Sequence, residues 1–317
     1  MDGQPKEKTP RPSELGGRKG QRGGAADLKA RAERYGTAKS HTLRLVEAIG
    51  APKCEQIGIR HGRVSACGDW LKFRDYYTGP GIKLHSANFC KNTIVCSLCA
   101  IRRASRNLAA YLERFEVVQA NDLALKPYLV TLTVRNRKDL GKALRHLFDS
   151  LRTLHHRRVD TKSKSLMRSI SGGVFSVEVT NTGKEWHPHV HAIWLARELP
   201  DTASLRAEWE QITGDSFMCD VRPITRTTDT GPDINVHAKG FSEVFKYAMK
   251  PSELGPALFV DAYPILKGKR LLGSFGSFRG VVQPDNLGDD LAGLDDLPYV
   301  EFLLHYFKGQ GYRQHEK

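Results

Sequence analysis

A chain of 317 residues, 40% of them hydrophobic, can bury one large core or two modest ones. Its 49 Lys and Arg against 35 Asp and Glu leave a formal charge of +14, which favours a polyanionic partner, nucleic acid ahead of an anionic membrane surface. No apolar run approaches the roughly 20 residues that span a bilayer, and the N-terminus Met1-Asp2-Gly3-Gln4-Pro5-Lys6 lacks a secretory apolar stretch. A cytoplasmic protein with no membrane partner is therefore expected, and in a reducing compartment its cysteines read as thiols or metal ligands rather than disulfides.

Residues 1–40 are rich in Gly, Pro, Lys and Arg, and such a composition predicts a disordered basic arm. Residues 41–115 carry Cys54, Cys67, Cys90, Cys96 and Cys99. Cys96 and Cys99 form a Cys-x2-Cys pair, and with Cys67 and Cys90 they fit a closed tetrahedral zinc site. Four thiolates leave no open coordination position, so this zinc would be structural. A redox pair at Cys96 and Cys99 is the competing reading. Cys54 and Cys219 read as core packing. A helix is expected over 98–115, and Arg102, Arg103 and Arg106 at its start could present a basic surface.

Residues 128–134 are rich in β-formers and predict a buried strand; 140–158 predict a basic amphipathic helix with Leu144, Leu147, Phe148, Leu151 and Leu154 on its apolar stripe. Residues 173–180 alternate Phe175, Val177 and Val179 with Ser176, Glu178 and Thr180. The turn signal Asn181-Thr182-Gly183-Lys184 follows, then Glu185-Trp186-His187-Pro188-His189-Val190-His191. Strand alternation raises His187, His189 and His191 from one face. Two rigid imidazoles need one more ligand to hold a divalent ion, and Glu178 on the neighbouring strand is a sensible third, with His187 as a further candidate. The set suits Mg²⁺ or Mn²⁺ on a phosphate, zinc hydrolysis or non-haem iron; a polar edge strand with solvated histidines is the bland alternative.

The run over 241–250 predicts a helix stopped by Pro251, with Val244, Phe245 and Ala248 toward the core. Glu243 and Tyr247 are four apart and share a face, as do the cations Lys246 and Lys250. A tyrosine hydroxyl can attack a phosphodiester, but its free pKa of about 10 leaves little phenolate at neutral pH. A metal on the phosphate and nearby positive charge would make up the deficit. An ordinary exposed Glu–Tyr–Lys helix face is the alternative. Residues 259–278 suggest added strands or DNA contacts, and 285–296 a loop. Strands and helices alternate around a tight hairpin, so the expected class is α+β.

At this point the residues resemble a known family. His189-Val190-His191 matches the histidine–hydrophobic–histidine (HUH) motif of single-strand endonucleases. Together with Glu243-Val244-Phe245-Lys246-Tyr247 it is similar to the replication initiators of rolling-circle plasmids. Leu129-Val130-Thr131-Leu132-Thr133 resembles that family's first block. Cys67-Gly68 and the later Phe89-Cys90, Cys96, Cys99 and Arg102-Arg103 resemble its N-terminal cysteine pattern. The likeness covers roughly residues 60–255, with the blocks in the same order. It departs in the five residues between Cys90 and Cys96 and in Ser97, where the pattern carries proline; both touch the zinc module rather than the nuclease site.

The resemblance implies an HUH endonuclease fold, a central antiparallel sheet with helices packed on it, plus an N-terminal zinc-binding module. It implies that His189 and His191 bind Mg²⁺ or Mn²⁺ and that Tyr247 nicks origin DNA, keeping the 5′ phosphate and leaving a 3′ hydroxyl for a polymerase. Glu243 in place of a second tyrosine implies the single-tyrosine type, in which the glutamate activates water at termination. A host helicase is a partner by resemblance alone. The expected division is a basic arm over 1–40, a cysteine-rich region over 41–115, a nicking and joining domain over 116–255 and an extension over 256–317. An HUH relaxase or transposase, a zinc-dependent nucleic-acid-binding regulator without catalysis, and a small-molecule metal hydrolase are the competing classes.

Overall fold

The computed structural model describes residues 24–224, 234–245 and 254–314. It is α+β, built on two antiparallel sheets. The larger has the order β6-β3-β5-β4-β7, from β3 (Lys126–Thr133), β4 (Gly172–Asn181), β5 (Trp186–Ala196), β6 (Cys219–Pro223) and β7 (Leu272–Gly276). The smaller has the order β2-β1-β8-β9, from β1 (Trp70–Tyr76), β2 (Ile82–Ala87), β8 (Tyr299–Phe307) and β9 (Gly311–Gln314).

The expected hairpin forms. β4 and β5 pair from Gly172↔Leu195 to Asn181↔Trp186, and the turn between them has Gly183 at φ 93°, a conformation that glycine adopts without Cβ strain. Asn181 Oδ1 accepts from the Gly183 N–H at 2.9 Å and fixes the turn. Pairing of β5 with β3 on its other side makes the histidine strand the centre of the sheet.

Helices cover both faces. The helix α5 (Leu140–His156) is capped by Asp139, whose carboxylate accepts from the Lys142 N–H at 2.9 Å. It buries Leu140, Leu144, Leu147, Leu151 and Leu154, one stripe at helical spacing, with Val177, Val190 and Trp194 of the sheet in the same core. The helix α6 (Thr202–Thr213) adds Leu205 and Trp209 to this side. On the other face α4 (Ser97–Asn121) and α7 (Ile234–Val244) bury Tyr111, Phe115, Phe241 and Val244 against Val174, Ile193 and Leu195. The described residues also form α2 (Ala51–Gln56), α3 (His61–Ser65) and α8 (Pro256–Leu266).

Two expectations are corrected. Residues 24–40, expected within a disordered arm, form the first part of α1 (Gly24–Ile49). Its buried stripe is Tyr35, Ala38, Lys39, Thr42, Leu45 and Val46, too polar and small to register as apolar periodicity. Lys39 is buried because its ammonium donates to Ser65 O and Cys67 O at 2.9 Å each and pairs with Asp69 at 2.8 Å. Second, the arginines after Cys99 do not form an open basic surface. Arg102 is buried, donating to Leu287 O at 2.7 Å, Tyr35 OH at 2.9 Å and Asp289 at 2.5 Å; Arg103 donates to Pro284 O, and Arg106 sits 3.6 Å from Asp290. Asp289 and Asp290 of the 285–296 loop neutralise Arg102 and Arg106, while Arg103 is tied to a backbone carbonyl. Residues 259–278 form α8 and β7 rather than strands alone, and β7 and β8 carry the C-terminal stretch into both sheets.

Candidate active site

The larger sheet sets the site by register. Glu178 lies opposite His189, Ser176 opposite His191 and, on the other side, Thr131 opposite His191. His189 Nε2 and His191 Nε2 approach the same Glu178 oxygen at 3.3 and 3.4 Å. Glu178 is buried and both histidines are partly so. Unpaired burial of such groups is costly, and nothing in the packing of a central strand calls for three of them together.

The far side of each imidazole is held. His191 Nδ1 meets Thr131 Oγ1 at 3.2 Å, and His189 Nδ1 lies 3.4 Å from the His187 carbonyl. With Nδ1 donating outward, each Nε2 keeps its lone pair for the centre, the arrangement that metal-bound histidines use. The donor spacing suits a divalent ion with bonds of about 2.0–2.2 Å, because adjacent ligands at such lengths stand roughly 3.0–3.5 Å apart. Glu178, His189 and His191 thus fit a divalent metal and leave further positions open. His187 stands apart from the trio: its Nδ1 contacts Asn136 Oδ1 at 2.5 Å, and burial, then the neighbouring His189, lowers its basicity.

The helix that carries Glu243 packs on this same sheet face. Phe241 and Val244 of α7, with the adjoining Phe245, are buried with Ile193 and Leu195, the residues that continue the histidine face of β5. Tyr111 and Phe115 of α4 support them, with ring centroids 5.2 Å from Phe245 and 5.3 Å from Phe241. Val244 and Phe245 face the core as expected; α7 begins at Ile234, earlier than the expected start. Glu243 is half-buried on its last turn. Lys246, Tyr247, Ala248 and Lys250 lie outside the described residues.

The four cysteines converge at the base of α4. Sγ–Sγ distances are 3.5 Å for Cys67–Cys99 and Cys67–Cys96 and 3.7 Å for Cys90–Cys99. A disulfide needs about 2.05 Å, whereas tetrahedral zinc with Zn–S bonds of about 2.3 Å spaces its sulfurs roughly 3.8 Å apart. All four are buried and unoxidised. Cys96 caps α4, its sulfur accepting from the Cys99 N–H at 3.5 Å, and the Cys90 N–H points at Cys67 Sγ at 3.2 Å. Hydrogen bonds from Cys67, Cys90 and Cys99 pull the Cys96 thiol below its ordinary range, while the bonds from Cys67 to Cys90 and Cys96 push Cys67 up. A divalent cation would let crowded thiols ionise together. Neither the five-residue spacing nor Ser97 prevents convergence. Cys54 is buried in the core and Cys219 is half-buried on β6. No helix among the described residues is long and apolar enough to cross a membrane.

Sequence reasoning did not find Thr131 and Asn136, the partners of His191 and His187. The signal for Thr131 was its place in the strand block next to the histidines; Asn136 had none. The model of a family described as "Replication protein" matches residues 81–301. A relative named "Protein rep", from Bacillus amyloliquefaciens, is 26% identical over 308 residues, covering 87% of this chain and 86% of the relative. No solved structure matches. The chain belongs to the replication protein family, and its likeness to plasmid rolling-circle initiators is borne out.

Proposed function

We propose that the protein initiates rolling-circle replication of a plasmid by nicking one strand of origin DNA through Tyr247. The observation that carries this reading is the trio Glu178, His189 and His191 on the sheet face against which the Glu243-bearing helix packs. These three residues would hold Mg²⁺ or Mn²⁺, which supplies Lewis-acid polarisation of the scissile phosphate. Thr131 and the His187 carbonyl hold the Nδ1 side of each imidazole, so that both Nε2 atoms stay turned toward Glu178, where the ion would sit.

Tyr247 follows Glu243 by one helical turn in sequence. Its phenol oxygen attacks phosphorus, the P–O3′ bond breaks, and the 5′ phosphate stays on the tyrosine. The phenol proton leaves to solvent and the departing 3′ oxygen takes one up, so one phosphodiester replaces another and the bond energy is kept for rejoining. Lys246 and Lys250 offset the negative charge of the transition state. At termination Glu243 accepts a proton from water, the water oxygen attacks the phosphorus of the regenerated origin, and the P–O3′ bond breaks with its oxygen protonated, so no new protein–DNA bond forms and the protein is released instead of recycled. A polymerase extends the 3′ hydroxyl, and a host helicase opens the duplex ahead of it. Cys67, Cys90, Cys96 and Cys99 would hold a structural Zn²⁺, bracing α4, the helix supporting α7.

The test incubates the protein with Mn²⁺ and a single-stranded origin oligonucleotide. Cleavage with a denaturant-resistant protein–DNA adduct is expected, and Tyr247→Phe should lose both. An adduct that survives this change would remove the tyrosine assignment; Tyr299 and Tyr306, the other tyrosines considered, lie on β8 of the smaller sheet.

A further inference from the structure

The smaller sheet has one covered face and one open face. Phe73, Leu84 and Leu304 are buried on the side of α1, whose Arg31 guanidinium lies 5.1 Å from the Phe73 ring centroid. The opposite pleat has another composition. Register sets His305 between Trp70 and Arg313, Leu303 beside Lys72, and Arg74 between Glu301 and Lys83. These side chains are all half-buried or exposed. A bulge after Lys72 brings His85 to the same neighbourhood.

The charge on this face is unbalanced. Lys72, Arg74, Lys83 and Arg313 surround one carboxylate, Glu301, which already binds Lys72 at 3.0 Å and Arg74 at 3.4 Å. Aromatic rings stand at one end of the cationic strip, Trp70 beside His305; at the other end the Tyr299 ring is already covered by the Arg74 guanidinium at 4.2 Å. The strip runs along β1 from Trp70 to Arg74, roughly 13 Å at strand rise, and stops short of Tyr76, which is buried; a short run of extended nucleotides covers that length.

We propose that this open face is a second nucleic-acid surface, separate from the metal-binding face of the larger sheet, and that it holds single-stranded DNA. Bases stack on Trp70 and His305 while Lys83 and Arg313 take phosphates. A duplex hides its base faces and offers the rings nothing to stack on. A protein partner fits poorly as well, because the centres of such interfaces are depleted of lysine and rich in apolar contact. Placed here, the surface would retain the displaced strand while the nick is processed on the other sheet.

The chain contains its own reporter. Trp186, Trp194 and Trp209 are at most 6% exposed, so Trp70 is the tryptophan a quencher can reach. The probe is a labelled oligothymidylate without origin sequence, added to the full chain with no divalent metal, so the result does not depend on nicking. Binding should quench Trp70 fluorescence and shield it from iodide. Trp70→Ala should weaken affinity by about fivefold or more. Lys83→Ala and Arg313→Ala, neither of which empties the core, should each lower the slope of log affinity against log salt by about 0.7. Binding seen by anisotropy with no change at Trp70 and unaltered slopes would overturn the proposal. So would iodide protection of Trp70 in the free protein together with concentration-dependent dimerisation, which makes the face an interface between copies. Origin nicking by a protein that fails this test would reject the surface alone; oligothymidylate binding without nicking would reject the tyrosine chemistry alone.

Discussion

Asp289 shows how much of this fold rests on contacts between distant residues. Its carboxylate takes Arg31 at 2.6 Å, Arg102 at 2.5 Å and the Leu84 N–H at 2.7 Å, with side-chain exposures of 15%, 18% and 4% for Asp289, Arg31 and Arg102. Asp289→Asn keeps the volume but removes the charge, leaving the buried Arg102 guanidinium without a counter-ion and Arg31 with only the exposed Asp27 at 3.9 Å. Removing one partner of such a buried pair costs about 3–5 kcal/mol. An unfolding entropy of about 2.1 cal/mol/K per residue over 317 residues gives about 0.67 kcal/mol/K, so Tm should fall by roughly 4–7 °C.

The pH dependence carries a second signature. Burial alone would raise the Asp289 carboxyl, but Arg102 and then Arg31 hold it below the usual range. A depressed carboxylate contributes stability that is present above its unfolded pKa of about 3.9 and is lost as pH falls through the lower folded value. Wild-type protein should therefore lose stability on acidification below about pH 4 more steeply than Asp289→Asn. Scanning calorimetry at pH 7 and at a series of acidic values reads both effects. A Tm change under about 2 °C at pH 7, or parallel acid profiles, would refute the reasoning, because it would mean that the arginines find water in place of the carboxylate.

Other predictions rest on separate groups. Thr131→Val should weaken Mn²⁺ binding by about 10–100-fold in calorimetry, since it frees the His191 ring to turn; unchanged affinity would show that the threonine does not orient it. Cys99→Ser should leave the purified protein without stoichiometric zinc and lower its helix signal, and full zinc occupancy would exclude Cys99 as a ligand. His155, wedged against Phe275 at 4.3 Å, is pulled down to about 4 by burial. It is a base with a lowered folded pKa, so its stabilisation is present above about pH 6.5 and declines as pH falls toward 4, by about 3 kcal/mol in all. His155→Phe should flatten the Tm profile across that window; an unchanged slope would place the titration elsewhere.

The hairpin, its register and the Glu178–His189–His191 trio were legible because period-2 alternation and the Asn181–Gly183 turn are local signals. The four cysteines were legible from spacing and side-chain chemistry. The smaller sheet was not: Trp70 pairs with His305, and no local pattern announces a partner so far along the chain. Arg102 misled for the same reason, since Asp289 lies 187 residues away and a buried arginine looks like a solvated one in sequence. The first helix was hidden because its inward stripe uses Lys39, whose burial depends on the distant Ser65 and Cys67 carbonyls, and Thr42, whose hydroxyl is satisfied by the helix's own Ala38 carbonyl.

The central claim concerns one phenol oxygen and one face of the larger sheet. Tryptic mapping by mass spectrometry of protein incubated with Mn²⁺ and an origin oligonucleotide tests it most directly. The expected result is a 5′-phosphorylated fragment linked to the peptide containing Tyr247, absent when His189 and His191 are both changed to alanine. Attachment at any other residue, or an undiminished adduct in the double alanine variant, would contradict it.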